Sequence, residues 1–242
     1  MLLALDLGNT NIKSGIFSSG KLTHTETLRI TENKGFINNI FNKFQDIKTV
    51  AICDVSEKFY LKSFLPEKNI ELFLIDNKTK LFFKNNYRTP ETLGKDRMAA
   101  VAGAIAKFPQ TPLLIIDAGT AITFDFVSKE RLFLGGNISP GINLRLKALH
   151  SFTGKLPLLE KKENFPDIGC STDEAILSGV IGGIIKEIEG IILAFRQQNP
   201  DSKVIFTGGD ANFLHRFIKN DIFVLPNLVL EGIYELYKFN RK

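Results

Sequence analysis

Stretches of period two and stretches of helical period alternate along this chain, and the whole arrangement comes round twice. Leu2, Leu3, Ala4 and Leu5 form an apolar run that ends in Asp6; Gly8, Asn9 and Thr10 interrupt it, and an alternating run resumes to Phe17. This predicts strands over residues 2–6 and 11–17 joined at Gly8-Asn9, then a third strand over 22–30 after the turn Ser18-Ser19-Gly20-Lys21. From Thr31 the period changes: Phe36, Ile37, Ile40, Phe41 and Phe44 recur at helical spacing, with Thr31 placed to cap the start. A buried strand over 49–55, a short helix over 57–64 ending near Pro66 and a strand over 70–76 complete a βββαβαβ order.

Residues 78–93 are polar and dotted with aromatics, without a period, and a loop that long in a compact domain is often functional. It feeds a helix from Lys95 to about Lys107 with Met98, Val101, Ala102 and Ile105 on one stripe. Then the opening returns. Leu113-Leu114-Ile115-Ile116-Asp117-Ala118-Gly119 repeats the first seven-residue pattern, with Asp117 and Gly119 both 111 positions after Asp6 and Gly8. Strands over 120–127 and 131–134, a helix over 141–151 and a loop over 153–167 follow. A long helix over 172–196 then offers Gly179, Gly182, Gly183 and Gly190 as a packing face. A strand over 203–207, a helix over 211–218, a strand over 222–224 and a helix over 227–237 finish the chain. A shared element order across half a chain indicates duplication. The expected domains are 1–111 and 112–242, with the last helix able to pack back on the first. Each carries an acid at the end of its first strand, and the two acids are expected to face each other across a cleft.

A strand that delivers an acid into a Gly/Asn/Thr turn can cradle phosphates, through backbone amides and hydroxyls, while the carboxylate orients a hydrated cation. An ordinary edge hairpin has the same outline. The formal charge of +5 comes from lysines that are spread out, with no run of five basic residues, which argues against nucleic acid and fits small anionic substrates. Cys53 and Cys170 share no metal-ligand spacing with each other or with the histidines, so reduced thiols without a catalytic role are expected. The start MLLALDLGNT lacks a charged leader, and no apolar run nears the roughly 20 residues that cross a bilayer. The expectation is a soluble cytoplasmic protein with no membrane partner.

The segments DLGNTNIKSG, LGKDR, IDAGTAITFD, GGNISPG, Leu156-Pro157, GCSTDEA and TGGDA, in this order, resemble the type III pantothenate kinases over essentially the whole chain. The wider superfamily joins acetate and sugar kinases, chaperone ATPases and actin. The resemblance implies an α/β fold of two duplicated ribonuclease-H-like (actin-like ATPase) domains, each starting βββα, with ATP in the cleft between them. It implies transfer of the ATP γ-phosphoryl to pantothenate, giving 4′-phosphopantothenate, the first step towards coenzyme A. One departure is the stretch Ala51-Ile52-Cys53-Asp54-Val55-Ser56, where many members carry small residues and Val-Pro.

Carried onto this sequence, the resemblance makes Asp6, Leu7, Gly8, Asn9, Thr10, Asn11, Ile12 and Lys13 the phosphate hairpin, with Asp6 holding Mg²⁺ or another divalent cation through water. Lys13 can equally be a solvated strand lysine. Asp117 becomes a ligand of a monovalent cation, K⁺ or NH₄⁺; a second Mg²⁺-orienting acid, or an aspartate that only fixes its turn, remains open. Gly119 and Thr120 form a second phosphate loop, and Gly208-Gly209 passes the adenosine. Asp210 can bind ribose or cap the next helix, the cap being preferred. Asp96, at a helix N-terminus where the dipole favours its ionised form, is the general base. Gly94, Lys95, Arg97, Tyr87 and Thr172 accompany it on the pantothenate side. Arg97 can instead make a surface ion pair, with Arg88 competing for its role. Tyr87 can anchor its loop on Phe82 or Phe83, and Thr172 or Ser171 can cap the long helix. A homodimer is implied, with Thr172 supplied across its interface.

Overall fold

A computed structural model describes residues 1–30, 35–55 and 70–241. The Thr31 cap and the short helix over 57–64 with its end near Pro66 lie outside the described residues. The chain runs β1 Leu2–Leu7, β2 Asn11–Ser18, β3 Lys21–Arg29, α1 Phe36–Lys43, β4 Thr49–Asp54, β5 Glu71–Leu74, β6 Lys84–Asn85 and α2 Lys95–Lys107. It continues β7 Leu113–Ala118, β8 Ala121–Val127, β9 Leu132–Pro140, α3 Ile142–Phe152, α4 Thr172–Leu177, α5 Gly183–Gln198, β10 Lys203–Thr207, α6 Ala211–His215, β11 Phe223–Val224 and α7 Leu228–Asn240. Two compact units result: Met1–Pro109 with Asn227–Lys242, and Gln110–Pro226.

In the first unit the strand order is β3-β2-β1-β4-β5, with β1 antiparallel to β2 and parallel to β4. The second unit repeats it as β9-β8-β7-β10-β11, with β7 antiparallel to β8 and parallel to β10. Both founding strands are interior, which is why they read as apolar runs. Alternation sends Leu3, Leu5 and Leu7 towards Phe36, Ile37, Ile40 and Phe41 of α1. Each of these fully buried leucines contributes about 2 kcal/mol of apolar burial. Asp6 therefore points to the opposite face, where α2 and α7 lie on β1 and β4. The same alternation buries Leu114, Ile116 and Ala118 against Ile184, Ile188 and Ile192 of α5 and leaves Asp117 on the other face.

Three expectations are corrected. The second unit's third strand is not 131–134 but Leu132–Pro140, because Gly135, Gly136 and the residues after them pair with β8 as far as Ala121↔Pro140. Arg131 sits instead in the preceding turn at φ 60. The long helix over 172–196 is interrupted by a π-helical turn, Ser178–Gly182, and among the described residues only Gly182 of its four glycines faces a neighbour, Phe165 at 3.9 Å from a Cβ placed there. A Cβ at Gly179, Gly183 or Gly190 would meet no atom within 4 Å. Helix α2 is buried on all sides from Arg97 to Ile105 rather than along one stripe. The cause is its crossing with α7: a Cβ on Gly232 would stand 1.7 Å from the Ala99 carbonyl oxygen, and one on Gly103 2.5 Å from that of Leu228. Only a backbone-to-backbone approach fits there. No described helix is long and apolar enough to cross a membrane.

Candidate active site

In the first unit, Asp6 lies opposite Lys13 on β2 and beside Cys53 on β4. Residues in register on neighbouring strands share a face, so the carboxylate, the lysine stem and the thiol emerge together. The Gly8 amide donates to the Asn11 carbonyl at 3.0 Å and the Ile30 amide to that of Thr10 at 2.9 Å, which closes the turn. Asn9 and Thr10 are exposed at its tip, whereas the Leu7 and Ile12 side chains belong to the core, leaving only their backbone for a ligand.

Helix α2 begins beside this hairpin. Its N-cap is Gly94, which has no side chain to offer. The Arg97 amide is met instead by Asp96, whose Oδ1 accepts its hydrogen at 2.8 Å. A Cβ at Gly94 would lie 2.5 Å from that Oδ1, so a side chain there would displace the Asp96 carboxylate from this position. Burial raises the Asp96 carboxyl above the usual range, and the Arg97 amide, the Arg97 charge and Asp96's own amide offset part of the rise. Arg97 is 6% exposed and its guanidinium lies 5.5 Å from the centre of the Tyr87 ring, a cation–π arrangement. Lys95 turns towards the sheet and donates from Nζ to the Asp54 carbonyl at 3.1 Å. Tyr87, Gly94, Lys95, Asp96 and Arg97 are thus gathered at one helix start.

Cys53 was given no role by sequence reasoning, yet it marks the centre of this group. Its thiol is pushed well up, first by burial and then by the charges of Asp6 and Asp96, with Lys95 opposing and Asp54 adding to the rise. The available signal was the end of the β4 apolar run, which falls level with Asp6 once the strands are paired.

In the second unit Asp117 pairs in register with Thr123 on β8 and Thr207 on β10. The Gly119 amide donates to the Ala121 carbonyl at 2.9 Å, and the Gly141 amide to that of Thr120 at 3.0 Å. Gly208 has φ 94, and a Cβ there would lie 2.4 Å from Asp117 Oδ1 and 2.3 Å from the Ala118 carbonyl oxygen. The turn after β10 is therefore pressed against the acid. Asp210 occupies the N-cap position of α6 but makes no side-chain cap; its carboxylate pairs with Lys161. With φ −99 and ψ 0 its backbone lacks the extended geometry of a capping residue, which corrects the preferred reading.

Ser171, not Thr172, caps α4: its hydroxyl accepts from the Glu174 amide at 3.3 Å while Glu174 accepts from the Ser171 amide at 3.2 Å. Thr172 is thereby released to line a cavity of about 810 Å³ with Arg145, Leu149, Phe152, Leu156 and Gly179.

The sequence profile of the type III pantothenate kinases matches residues 2–194. The type III pantothenate kinase of Flavobacterium psychrophilum is 41% identical over 242 residues, 100% of both chains. Among solved structures, a Campylobacter jejuni protein classed with the Baf family of transcriptional activators is 25% identical with a TM-score of 0.65, covering 99% of this chain and 98% of that one. The activator of the 2-hydroxyisocaproyl-CoA dehydratase from Clostridium difficile, solved with bound ADPNP, shares the fold at 16% identity and a TM-score of 0.57, covering 99% of this chain and 94% of that one. The architecture is the duplicated α/β fold of the actin-like ATPases and sugar kinases. By its matched residues and its full-length identity, the chain belongs to the type III pantothenate kinase family.

Proposed function

We propose that this chain phosphorylates pantothenate from ATP, yielding 4′-phosphopantothenate and ADP, with Asp96 as general base. The observation that carries the assignment of the base is the Asp96 carboxylate itself: half-buried, raised in basicity by burial, and held by one oxygen to the Arg97 amide. Its other oxygen is the one to receive a hydroxyl. Phosphoryl transfer asks the protein chiefly for alignment and charge neutralisation. Asp96 orients the primary alcohol and takes its proton as the oxygen bonds to the γ-phosphorus; the bond to the bridging oxygen breaks and its electron pair leaves with ADP. Arg97, stiffened by Tyr87, offers a planar fork to the pantothenate carboxylate, and Gly94 admits the substrate close to the backbone.

On the donor side, Asp6, Lys13 and the amides and hydroxyls of 7–12 hold the phosphates. Among the described residues no cluster of three or more His, Cys, Asp or Glu could cage a metal ion. One carboxylate, that of Asp6, suits Mg²⁺, which keeps most of its water and binds through one carboxylate and the substrate phosphates. Asp117, with the Thr123 and Thr207 side chains in register beside it, suits a large, weakly charged ion such as K⁺ or NH₄⁺. Bound there, such an ion supplies positive charge near Gly119 and Thr120, which contact ATP. A second copy of the chain is the proposed partner, supported by the exposure of Phe152 (89%), Ile168 (82%) and Leu193 (62%). The proposed location is the cytoplasm.

Coupled ADP release with pantothenate and K⁺ tests the assignment. Wild type is expected to turn over, and Asp96→Asn to lose about 10³-fold in kcat. Absence of pantothenate-dependent turnover in wild type would favour another small-molecule kinase of the superfamily.

A further inference from the structure

The start of α2 is bound to the sheet by a side chain that the substrate-side reading treats as a ligand contact. Lys95 is the first residue of the helix, and its ammonium reaches back across 41 positions to the carbonyl of Asp54, the last residue of β4. That carbonyl sits at a defined level: β4 is parallel to β1 with Leu7↔Asp54 and Asp6↔Cys53 in register. The helix has no side-chain cap at Gly94, and the Asp96 carboxylate bonds within its own turn, to the Arg97 amide. Neither of those features ties the turn to the sheet, where β4 runs beside the strand that carries Asp6. The Lys95 bond does, and a charged donor on a partly buried carbonyl is among the stronger hydrogen bonds available.

We propose that Lys95 is a positioning residue: by gripping the Asp54 carbonyl it holds the first turn of α2 against the end of β4. It thereby fixes Asp96 at the level of Asp6, and it does not itself bind substrate. This rests on the kinase reading. The bond holds the ammonium at the end of β4, and a small misplacement of the base is costly, about 10²-fold for 1 Å.

The test uses the full chain with Lys95→Met, which keeps the apolar stem and removes the donors, and Lys95→Arg, which restores them. Lys95→Met is expected to lower kcat about 10- to 100-fold with KM for pantothenate and for ATP within about twofold, and Lys95→Arg to recover most of kcat. A tenfold or larger rise in either KM with kcat retained would make Lys95 a substrate contact and overturn the proposal, as would unaltered kinetics. Amide hydrogen exchange reads the tether without catalysis: Lys95→Met is expected to speed exchange in the first turn of α2 and spare β1. Equal exchange in both proteins would also overturn it. If Lys95→Met does not fold, Lys95→Arg decides alone: near-wild-type kcat and KM support the tether, and a tenfold KM rise refutes it. A wild type inactive towards pantothenate would instead count against the kinase reading and leave the exchange comparison standing.

Discussion

Asp6 and Asp117 end equivalent strands, yet their hairpins differ in what stands around the acid. The first turn spans four residues between Leu7↔Ile12, the second three between Ala118↔Ile122, so the offset between the repeats drops from 111 to 110 across the turn. On that alignment Lys13 corresponds to Thr123 and Gly15 to Asp125. Beside Asp6 lies the thiol of Cys53; beside Asp117 lies Thr207, followed by Gly208 against the carboxylate. Duplication preserved the strand that delivers the acid and let the neighbours diverge. One hairpin has a cation opposite its acid, which suits anions. The other has a hydroxyl opposite its acid and a second, fully buried acid further along the strand, which suits a cation.

The largest effect that could break this comparison is in catalysis. Asp6→Asn is expected to lower kcat about 10²- to 10³-fold at any K⁺ concentration, and Asp117→Asn to raise the K⁺ needed for half-activation; identical K⁺ titrations for both variants would erase the distinction. Next comes stability. Gly208→Ala forces a Cβ into a left-handed position already filled by Asp117 and Ala118, at an expected cost of about 3 kcal/mol in urea unfolding. Gly8→Ala meets only the Asn11 carbonyl, at 3.2 Å, and should lose about 1 kcal/mol or less.

A third prediction concerns pH. Burial disfavours the ionised form of Asp96 in the folded protein, so wild type loses stability as pH rises through the raised value. Asp96→Asn escapes that loss. It should melt above wild type at neutral pH and level with it below the ordinary carboxylate range. Wild-type kcat/KM should fall on the acid side at a pH higher than an ordinary aspartate would give. The smallest effect is Lys13→Met, expected to raise KM for ATP about threefold, while Thr123→Val leaves that KM unchanged.

Much of this was legible in the amino acids. The repeated apolar run with its acid predicted both founding strands, because interior strands must be apolar on both faces. The helix from Lys95 to Lys107 was readable from its alanines and spacing. What stayed hidden depended on contacts distant in sequence. The extension of β9 through Gly135 and Gly136 exists because β8 pairs with it, and glycines read locally as a turn. Cys53 and the Asp54 carbonyl join the site only through the parallel register of β4 with β1. Likewise Lys161 takes Asp210 out of the helix cap through a loop that carries no period of its own.

The crossing of α2 and α7 has a consequence for the order in which the protein is made. All of Gln110–Pro226 is synthesised between the two helices. Until Gly232 can settle against Ala99, the first sheet lacks part of its cover on the face that carries Asp6, and Tyr237 has not yet reached Glu71 and Thr49. The second unit, contiguous in sequence, can complete itself while the first still waits. A ribosome-tethered chain lacking α7 should therefore expose the first unit to protease while protecting the second.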